Sequence, residues 1–336
     1  MELVFLKAKQ RLAKEISNKG TTPYPLTKNF TSEHVQVSKT KKGLHTLLKT
    51  LQTQAASGAC LHKGLLKRPL ENESRAMMAD RVASTELLVL DIDGIQMPGS
   101  LTDVRTVAEK IIAQLPECFQ DVSYIAQASA SLGFKKDKVS MHFFFLLNQP
   151  TQPKILKEWF KLLNYETDIL SSQLALSANG QSLSYKLDPS VAENSKIIYI
   201  APPTFKDDIQ DPISGDRFVL IERGSVTIDP RPLLVHVNPE RVHNLGVQVK
   251  DGLRKKLNLP KKTSKLSTVS IGGEAQEVLQ NPDKMTIEIS RVNEPYVNCN
   301  VNGGDSNGYY FVLTNPHYMY NFKGEPVWEI QKADPD

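Results

Sequence analysis

One apolar segment of this chain ends in a pair of carboxylates. Residues 87–94 run Leu-Leu-Val-Leu-Asp-Ile-Asp-Gly, a composition typical of a buried β-strand. Side chains alternate between the two faces of a strand, so Asp91 and Asp93 share one face. Two like charges this close repel each other unless a cation lies between them. The spacing therefore predicts that Asp91 and Asp93 bind a divalent metal ion, and that the site acts on phosphates.

A second apolar segment, residues 138–145, carries Ser140 and His142 on one face of a predicted strand. A hydroxyl and an imidazole can donate hydrogen bonds to phosphate oxygens, and nearby lysines can supply positive charge. Three lysines precede the pair: Lys135, Lys136 and Lys138. The alternative is a hydrogen-bonded histidine of the core. The chain contains no Walker loop, no G-x-S-x-G elbow and no H-E-x-x-H helix, so any phosphate site is of another type.

A third carboxylate is needed if two metal ions are to be held, because such sites clamp the attacking and leaving oxygens from both sides. Asp188 is the best candidate, since it follows Leu187 in an apolar-flanked segment that ends at Pro189. The alternative is a solvent-facing aspartate in a turn before proline, which is a frequent arrangement.

The elements around these residues predict an α+β fold, in which helices pack on one face of a sheet. The order is strand, helix, strand, strand, helix, strand, and the third and fourth elements form a hairpin. A further short helix is expected at residues 45–54, and Thr102 is the expected N-cap of the first helix of the sheet. The predicted elements are strand 85–94, a helix from 103, strand 124–128, the strand of Ser140 and His142, helices 153–163 and 167–177, and strand 197–200.

Length and composition set limits on the class of protein. With 336 residues and 40% hydrophobic composition, the chain can bury a large core. No apolar run approaches the ~20 residues that span a bilayer. The three cysteines, at 60, 118 and 299, are far apart and form no C-x-x-C pair, so neither a zinc finger nor a disulfide framework is predicted. A reducing, cytoplasmic setting is expected.

The charge is unevenly distributed. Residues 1–81 hold 15 Lys or Arg against 6 Asp or Glu, whereas the remainder holds 26 against 31. A second basic cluster runs from Lys250 to Lys265. Basic regions around an acidic centre favour a protein that binds a polyanion while the centre holds metal. The alternative is a surface whose charge serves only solubility.

Together the three motifs resemble those of the archaeo-eukaryotic primase superfamily. That family has an apolar strand with Asp-x-Asp, then Ser-x-His on a second strand, then a lone Asp after an apolar residue. Here these correspond to Asp91 and Asp93, to Ser140 and His142, and to Asp188. The similarity is greatest to the primase–polymerases of phages, plasmids and other mobile elements, and it covers about residues 60–230.

The resemblance implies an RRM-like antiparallel catalytic sheet and DNA primase activity, a nucleotidyl transfer on single-stranded DNA from NTPs or dNTPs. Asp91, Asp93 and Asp188 would bind two Mg²⁺ or Mn²⁺ ions. The phosphates of the incoming nucleotide would be contacted by Ser140, His142, Lys138, Lys136, Lys135 and Lys196. Arginines are usual in the family where residues 197–200 carry no charge. Many relatives carry a zinc module, but this chain lacks the cysteine cluster, so no zinc is expected.

The resemblance also predicts how the chain is organised. Residues 1–230 would form the catalytic domain, with its motifs within 85–200. Residues 231–292 would form a basic helical or linker region, and 293–336 an accessory segment. Within that segment, residues 321–326 resemble the connection to a helicase domain, so the chain is expected to be the N-terminal part of a helicase–primase. It would act in the cytoplasm of the host cell.

Two other functions remain open from sequence alone. In a HAD-type phosphatase, Asp91 would be the nucleophile and Asp93 a general acid, in a doubly wound parallel sheet. Asp207 and Asp208 could then imitate the late acidic pair of that family. The other alternative is a non-catalytic replication initiator that binds single-stranded DNA through aromatic and basic residues, without a metal ion.

Overall fold

The computed structural model describes residues 1–177 and 182–259 with their side chains and, farther along, the backbone of strands between residues 268 and 332. The chain divides into two compact units. The first comprises residues 1–175 and 183–250, and the second comprises 176–182 and 251–336. The structure contains antiparallel sheets as well as several helices, so the predicted α+β class is confirmed.

The part of the chain up to residue 259 contains two long strands, a larger number of short strands, and helices. The strands are β1 (Glu2–Lys7), β2 (Glu15–Ser17), β3 (Gly20–Thr22), β4 (Asn29–Gln36), β5 (Cys60–His62), β6 (Glu73–Ser74), β7 (Thr85–Gln96), β8 (Tyr124–Ala128), β9 (Lys138–Thr151), β10 (Ala175–Leu176), β11 (Leu183–Ser184), β12 (Ile197–Tyr199), β13 (Thr204–Phe205), β14 (Phe218–Ile221) and β15 (Thr227–Ile228). The α-helices are α1 (Lys41–Ala56), α2 (Val104–Ile112), α3 (Pro153–Glu166), α4 (Asp168–Ser171), α5 (Arg231–Leu234) and α6 (Pro239–Lys256). Two 3₁₀ helices cover Glu117–Phe119 and Pro189–Ala192.

The sheet that carries the motifs, called here the central sheet, is built around β9. Strand β9 pairs antiparallel with β7 on one side and with β8 on the other, so the predicted hairpin is confirmed. Strand β14 extends the sheet beyond β8, and β15 pairs parallel with β9 farther along. On the free side of β7, the chain around Leu187 lies antiparallel through an isolated bridge to Ile92.

One predicted member of this sheet is found elsewhere. Strand β12 pairs with β5, in a second sheet of order β12-β5-β1-β4-β6. The 3₁₀ helix that begins at Pro189 separates β12 from the segment beside β7, and it redirects the chain. A three-residue apolar strand carries no information about which sheet it joins, so the sequence-based placement of β12 in the central sheet was wrong.

Helix boundaries also differ from the predictions, since α1 extends beyond the predicted 45–54 at both ends and α3 extends beyond the predicted 163. The side chain of Asp103, rather than that of Thr102, caps α2 by accepting a hydrogen bond from the backbone N–H of Arg105. The helix predicted at 167–177 is only the short α4, which ends at Ser171 before β10 begins. Asp and Thr are both good N-caps, so sequence alone did not decide between neighbours.

The long strands of the central sheet are apolar because both of their faces are covered. Residues 139–147 of β9 are all buried, as are residues 87–90 of β7. A strand covered on both faces loses the usual polar–apolar alternation. Helix α3 contributes Trp159, which stacks on Phe119 with ring centroids 5.5 Å apart, and Phe119 packs against Phe145 of β9 at 5.3 Å. Each fully buried side chain of this size contributes about 1.5–3 kcal/mol, so this core holds β9 rigidly.

The second unit contains a sheet of order β16-β22-β21-β20-β19-β18-β17. Neighbouring strands pair antiparallel except β16 and β22, which are parallel. The strands are β16 (Thr268–Ile271), β17 (Gln276–Asn281), β18 (Asp283–Asn293), β19 (Tyr296–Val301), β20 (Gly308–Phe311), β21 (His317–Asn321) and β22 (Trp328–Lys332).

Part of the predicted basic and C-terminal segments can be placed. Residues 250–256 of the basic cluster form the last turns of α6. Lys261, Lys262 and Lys265 lie outside the described residues, as do residues 322–326 of the segment that resembles a helicase connection. Within the described part of the chain, no helix is long and apolar enough to cross a membrane.

An unusual feature of the first unit is a buried lysine. Lys63 is 3% exposed, and its ammonium donates a hydrogen bond to the hydroxyl of Thr85 at 3.2 Å. Burial lowers the pKa of Lys63 to about 7, because an ammonium loses its hydration inside the protein. In the unfolded chain the same group titrates near its ordinary pKa of about 10.4.

We expect this lysine to make stability depend on pH. Between about pH 7 and about pH 10 the unfolded chain binds a proton that the folded protein does not, so stability should rise with pH by up to about 1.4 kcal/mol per pH unit. Urea unfolding across this range should show that Lys63→Met removes this part of the dependence and stabilises the protein at pH 7. The exposed Lys49→Met serves as the control, and an equal pH dependence in wild type and Lys63→Met would contradict the expectation.

Candidate active site

The polar residues predicted from sequence meet in one row across the central sheet. In the register, Asp91 of β7 lies opposite His142 of β9, and His142 lies opposite Gln127 of β8. On the other side of β7, the N–H of Asp188 donates to the carbonyl of Asp91 at 2.9 Å. Directly opposite residues of antiparallel strands point to the same face. Four chain segments therefore present Asp188, Asp91, His142 and Gln127 side by side.

The ring of His142 is held between Gln127 and Asp91. The Gln127 amide nitrogen donates to the carbonyl of Ile200 at 2.8 Å, so its oxygen faces His142 and accepts from Nδ1 at 2.9 Å. This bond fixes the ring orientation and leaves Nε2 facing the carboxylate of Asp91, 3.4 Å from Oδ1. Both His142 and Gln127 are buried, so the ring has little freedom to turn away.

A second row lies next to the first and contains Asp93 and Ser140. The Ser140 hydroxyl donates to Asp93 Oδ1 and accepts from the N–H of Gly94 at 3.1 Å. The register of β7 shifts between Ile92 and Ile95, and Gly94 takes a positive φ of 65° within this bulge. Glycine adopts that conformation without steric cost, and such bulges re-aim the side chains beside them. The bulge thus leaves the Asp93 carboxylate exposed beside Ser140.

The carboxylate of Asp188 forms an ion pair with Lys196, which comes from farther along the chain. The Asp188 carboxylate accepts from the N–H and the hydroxyl of Ser190, both at 2.8 Å, and so caps the 3₁₀ helix that starts at Pro189. Lys196 lies 3.3 Å from the same carboxylate and 2.5 Å from the Ser190 hydroxyl. Asp188 therefore has the turn role of the alternative interpretation and also faces the site.

The surroundings of Asp91 favour its ionised form. Burial opposes the charge, but His142, Lys196 and Lys14 outweigh that cost and hold the pKa of Asp91 below its usual range. The apolar strand therefore carries an ionised carboxylate at neutral pH, and its oxygens could coordinate a metal ion.

Lys14, Tyr24 and Tyr199 form a cluster near the site, and all three come from segments that carry no recognised motif. Tyr24, in the connection between β3 and β4, stacks on Tyr199 of β12 with ring centroids 3.7 Å apart. The ammonium of Lys14 lies 5.1 Å from the centroid of the Tyr24 ring. Burial raises the pKa of Tyr24 above its ordinary value, and Tyr199, Asp91 and Asp93 raise it further. The charges of the two carboxylates therefore act on the ring of Tyr24.

The three lysines before Ser140 are placed differently from one another. Lys138 occupies the first position of β9. Because alternate residues of a strand share a face, it lies on the same face as Ser140 and His142. Lys135 and Lys136 are exposed in the connection between β8 and β9. In the part of the chain that the structure describes, neither forms an ion pair or side-chain hydrogen bond with the motif residues, so the structure does not bring these two to the carboxylates.

The donor set suits Mg²⁺ or Mn²⁺, which prefer carboxylate oxygens. Among the residues with described side chains, no three of the types His, Cys, Asp and Glu lie close enough together to form a complete metal site. Magnesium sites that act on phosphates usually take only one or two carboxylates, and waters and substrate phosphates supply the other oxygens. Asp91 and Asp93 fit such a partial site.

Gln127 and Asn164 are site residues that the sequence analysis missed. Gln127 could have been noticed as the one amide in an otherwise apolar or aromatic predicted strand, residues 124–128. Asn164, in α3, is fully buried, and its amide bonds four backbone groups. It donates to the carbonyls of Phe160 and Leu187 at 2.8 Å, and accepts from the N–H groups of Lys186 at 3.0 Å and Leu187 at 3.1 Å. Asn164 therefore fixes the segment that carries Asp188, but an asparagine inside a helix gives no sign of this in the sequence.

Comparison of this chain with family models, with curated proteins and with solved structures gave no match.

We expect Asn164→Leu to loosen the Asp188 segment. The substitution keeps the side-chain volume but leaves buried backbone groups without partners, at a cost of about 1–3 kcal/mol for each group that stays unsatisfied. Urea unfolding should show a loss within or above that range. The exposed Gln114→Leu, on the surface next to α2, should change stability by less than about 0.5 kcal/mol. Equal stability of the two variants would contradict the role assigned to Asn164.

Proposed function

We propose that this chain is a DNA primase of the primase–polymerase type, which joins nucleotides on a single-stranded DNA template by metal-dependent nucleotidyl transfer. One observation carries the proposal. Asp91, Asp188 and His142 lie opposite one another on one face of an antiparallel sheet, with Asp93 and Ser140 in the next row. Three motifs that are far apart in sequence thus converge on a single surface.

The topology of the central sheet supports the same function. The chain runs from β7 through α2 to the β8–β9 hairpin, then through α3 to the segment beside β7. In space the order is the segment at Leu187, β7, β9 and β8, with antiparallel neighbours throughout. This order is the one expected of the split βαβ arrangement in an RRM-like sheet, with the isolated bridge at Leu187 in the place of the fourth strand, and it therefore supports the proposal. A HAD-type phosphatase would require parallel neighbours for β7, so the sheet disfavours that alternative.

Asp91 and Asp93, together with Asp188, are the residues that would hold one or two Mg²⁺ or Mn²⁺ ions. Such ions supply activation of a primer 3′-hydroxyl and neutralisation of the triphosphate charge. The ionised state of Asp91 and the exposure of Asp93 suit this role. Lys196 would exchange its contact with Asp188 for a phosphate oxygen of the nucleotide.

Ser140 and His142 would orient the triphosphate of an NTP or dNTP. The buried Gln127 bond keeps His142 Nε2 directed toward the face where the phosphates would lie. Lys138 shares that face and adds positive charge. These contacts would position the α-phosphate for attack and bind the departing pyrophosphate. A helicase domain or partner remains part of the proposal through the resemblance alone.

The decisive assay is synthesis without a primer. Wild-type protein, single-stranded DNA, Mg²⁺ or Mn²⁺ and labelled nucleotides should yield new oligonucleotides, and parallel reactions with NTPs and dNTPs define the sugar preference. Loss of one outer-shell partner of a metal already costs about 10- to 100-fold. We therefore expect Asp91→Ala/Asp93→Ala to lower synthesis by more than about 100-fold while DNA affinity stays within about twofold.

The matched control is Asp216→Ala/Glu222→Ala, which removes two exposed carboxylates at the β14 end of the sheet and should leave synthesis unchanged. Equal synthesis by wild type and the Asp91/Asp93 variant would refute the site assignment. Extension of a supplied primer without new initiation would indicate a polymerase that needs an initiation partner. DNA binding that is independent of metal, with no synthesis, would favour the replication initiator.

A further inference from the structure

Two phenylalanines that belong to no motif meet at the surface of the first unit. Phe134 lies in the connection between β8 and β9, and Phe205 lies in β13. Their ring centroids are 5.7 Å apart with an interplanar angle of 32°. Phe134 is 36% exposed, although a phenylalanine at the surface loses the benefit of burial. The pair therefore offers an aromatic surface to a ligand.

The exposed charge beside Phe134 is positive. Lys135 and Lys136 directly follow Phe134 and are exposed, whereas Lys206, which directly follows Phe205, is itself followed by the exposed Asp207 and Asp208. Lys206 is held by Glu15 at 2.9 Å, whereas Lys135 and Lys136 form no ion pair with any described residue. Aromatic rings between lysines are the combination that binds single-stranded nucleic acid, since the rings stack on bases and the lysines contact phosphates.

The segment that carries Phe205 is linked by contacts to Lys14 and Tyr24. Strand β13 lies beside β2, and the N–H of Thr204 donates to the carbonyl of Lys14 at 2.9 Å. The side chain of Lys14 in turn lies over Tyr24, 5.1 Å from the ring centroid. Burial raises the pKa of Tyr24, and the charges of Tyr199, Asp91 and Asp93 raise it further. The segment that carries Phe205 is therefore linked, through Lys14, to an aromatic residue on which the charges of the two carboxylates act.

We propose that Phe134, Phe205, Lys135 and Lys136 form a binding track for single-stranded DNA that leads to the carboxylates of the central sheet. Bases stack on the exposed Phe134 ring, which packs against Phe205, and phosphates contact Lys135 and Lys136. Binding by the track needs neither a metal ion nor catalysis. Its use as the path of the template rests on the proposed primase function.

The same geometry selects unpaired bases. A ring such as Phe134 can stack only on a base whose face is free, and the bases of a duplex are already stacked on each other. Contacts from lysines to phosphates are available to both forms of DNA. Removal of the ring should therefore affect single strands specifically, whereas removal of the lysines should weaken binding to both.

The test measures binding of a fluorescein-labelled oligothymidylate by anisotropy, in EDTA and at fixed salt. Loss of one stacked base should make Phe134→Ala bind about 5- to 100-fold more weakly than wild type. Phe134→Trp should retain the affinity, and its fluorescence should be quenched when DNA is added. Lys135→Ala/Lys136→Ala should weaken binding and reduce its salt dependence. On a duplex, Phe134→Ala should bind as wild type does.

Two matched variants serve as controls. Ile155→Ala removes another apolar side chain that is 38% exposed, and Lys41→Ala/Lys42→Ala removes two adjacent exposed lysines of α1. Both should bind within about twofold of wild type. The proposal is overturned if wild type binds no oligothymidylate, or if Phe134→Ala binds it as wild type does. Synthesis by a Phe134→Ala protein of unchanged affinity would refute the track alone, whereas binding through Phe134 without any synthesis would refute the primase proposal alone.

Discussion

The antiparallel pairing of β7 with β9 is the constraint on which the first unit depends. It joins the two longest strands of that unit and sets Asp91 opposite His142. A shift of one residue in this register would turn Asp91 into the core and Ile92 out of it. Because the apolar residues on the far face must stay buried, the hydrophobic core and the polar row enforce the same register. Fold stability and site geometry are therefore determined together.

The departure from regular pairing is as important as the pairing itself. The bulge at Asp93 and Gly94 gives the two carboxylates different surroundings on the strand. Asp91 stays among His142, Lys196 and Lys14, which favour its charge, while Asp93 is directed to solvent beside Ser140. The strand thus presents one enclosed and one open carboxylate, a difference that suits a site shared with an incoming charged ligand.

The supporting residues belong to elements that contribute nothing to the motifs. Asn164 ties the Asp188 segment to α3, and Gln127 ties His142 to the chain near β12. Both side chains bond backbone carbonyls inside the protein, where an unpaired polar group costs more than at the surface. Such bonds give the site its rigidity. They also make the second sheet, through the chain next to β12, part of the surroundings of the candidate site.

The sequence by itself determined three strands of the central sheet (β7, β8 and β9), the β8–β9 hairpin and the face on which Asp91, His142 and Ser140 lie, but it predicted neither β14 nor β15. Each follows from local periodicity, since side-chain direction alternates strictly along a strand. Residues 124–128 and 197–199 were also predicted as strands, but only the first was assigned to the correct sheet. The partner of β12, the bulge at Gly94, and the approach of Lys14, Tyr24, Gln127 and Asn164 to the site were decided by tertiary structure. Those contacts join residues that lie far apart in the chain, and their free energy depends on packing and burial that exist only after the chain has folded.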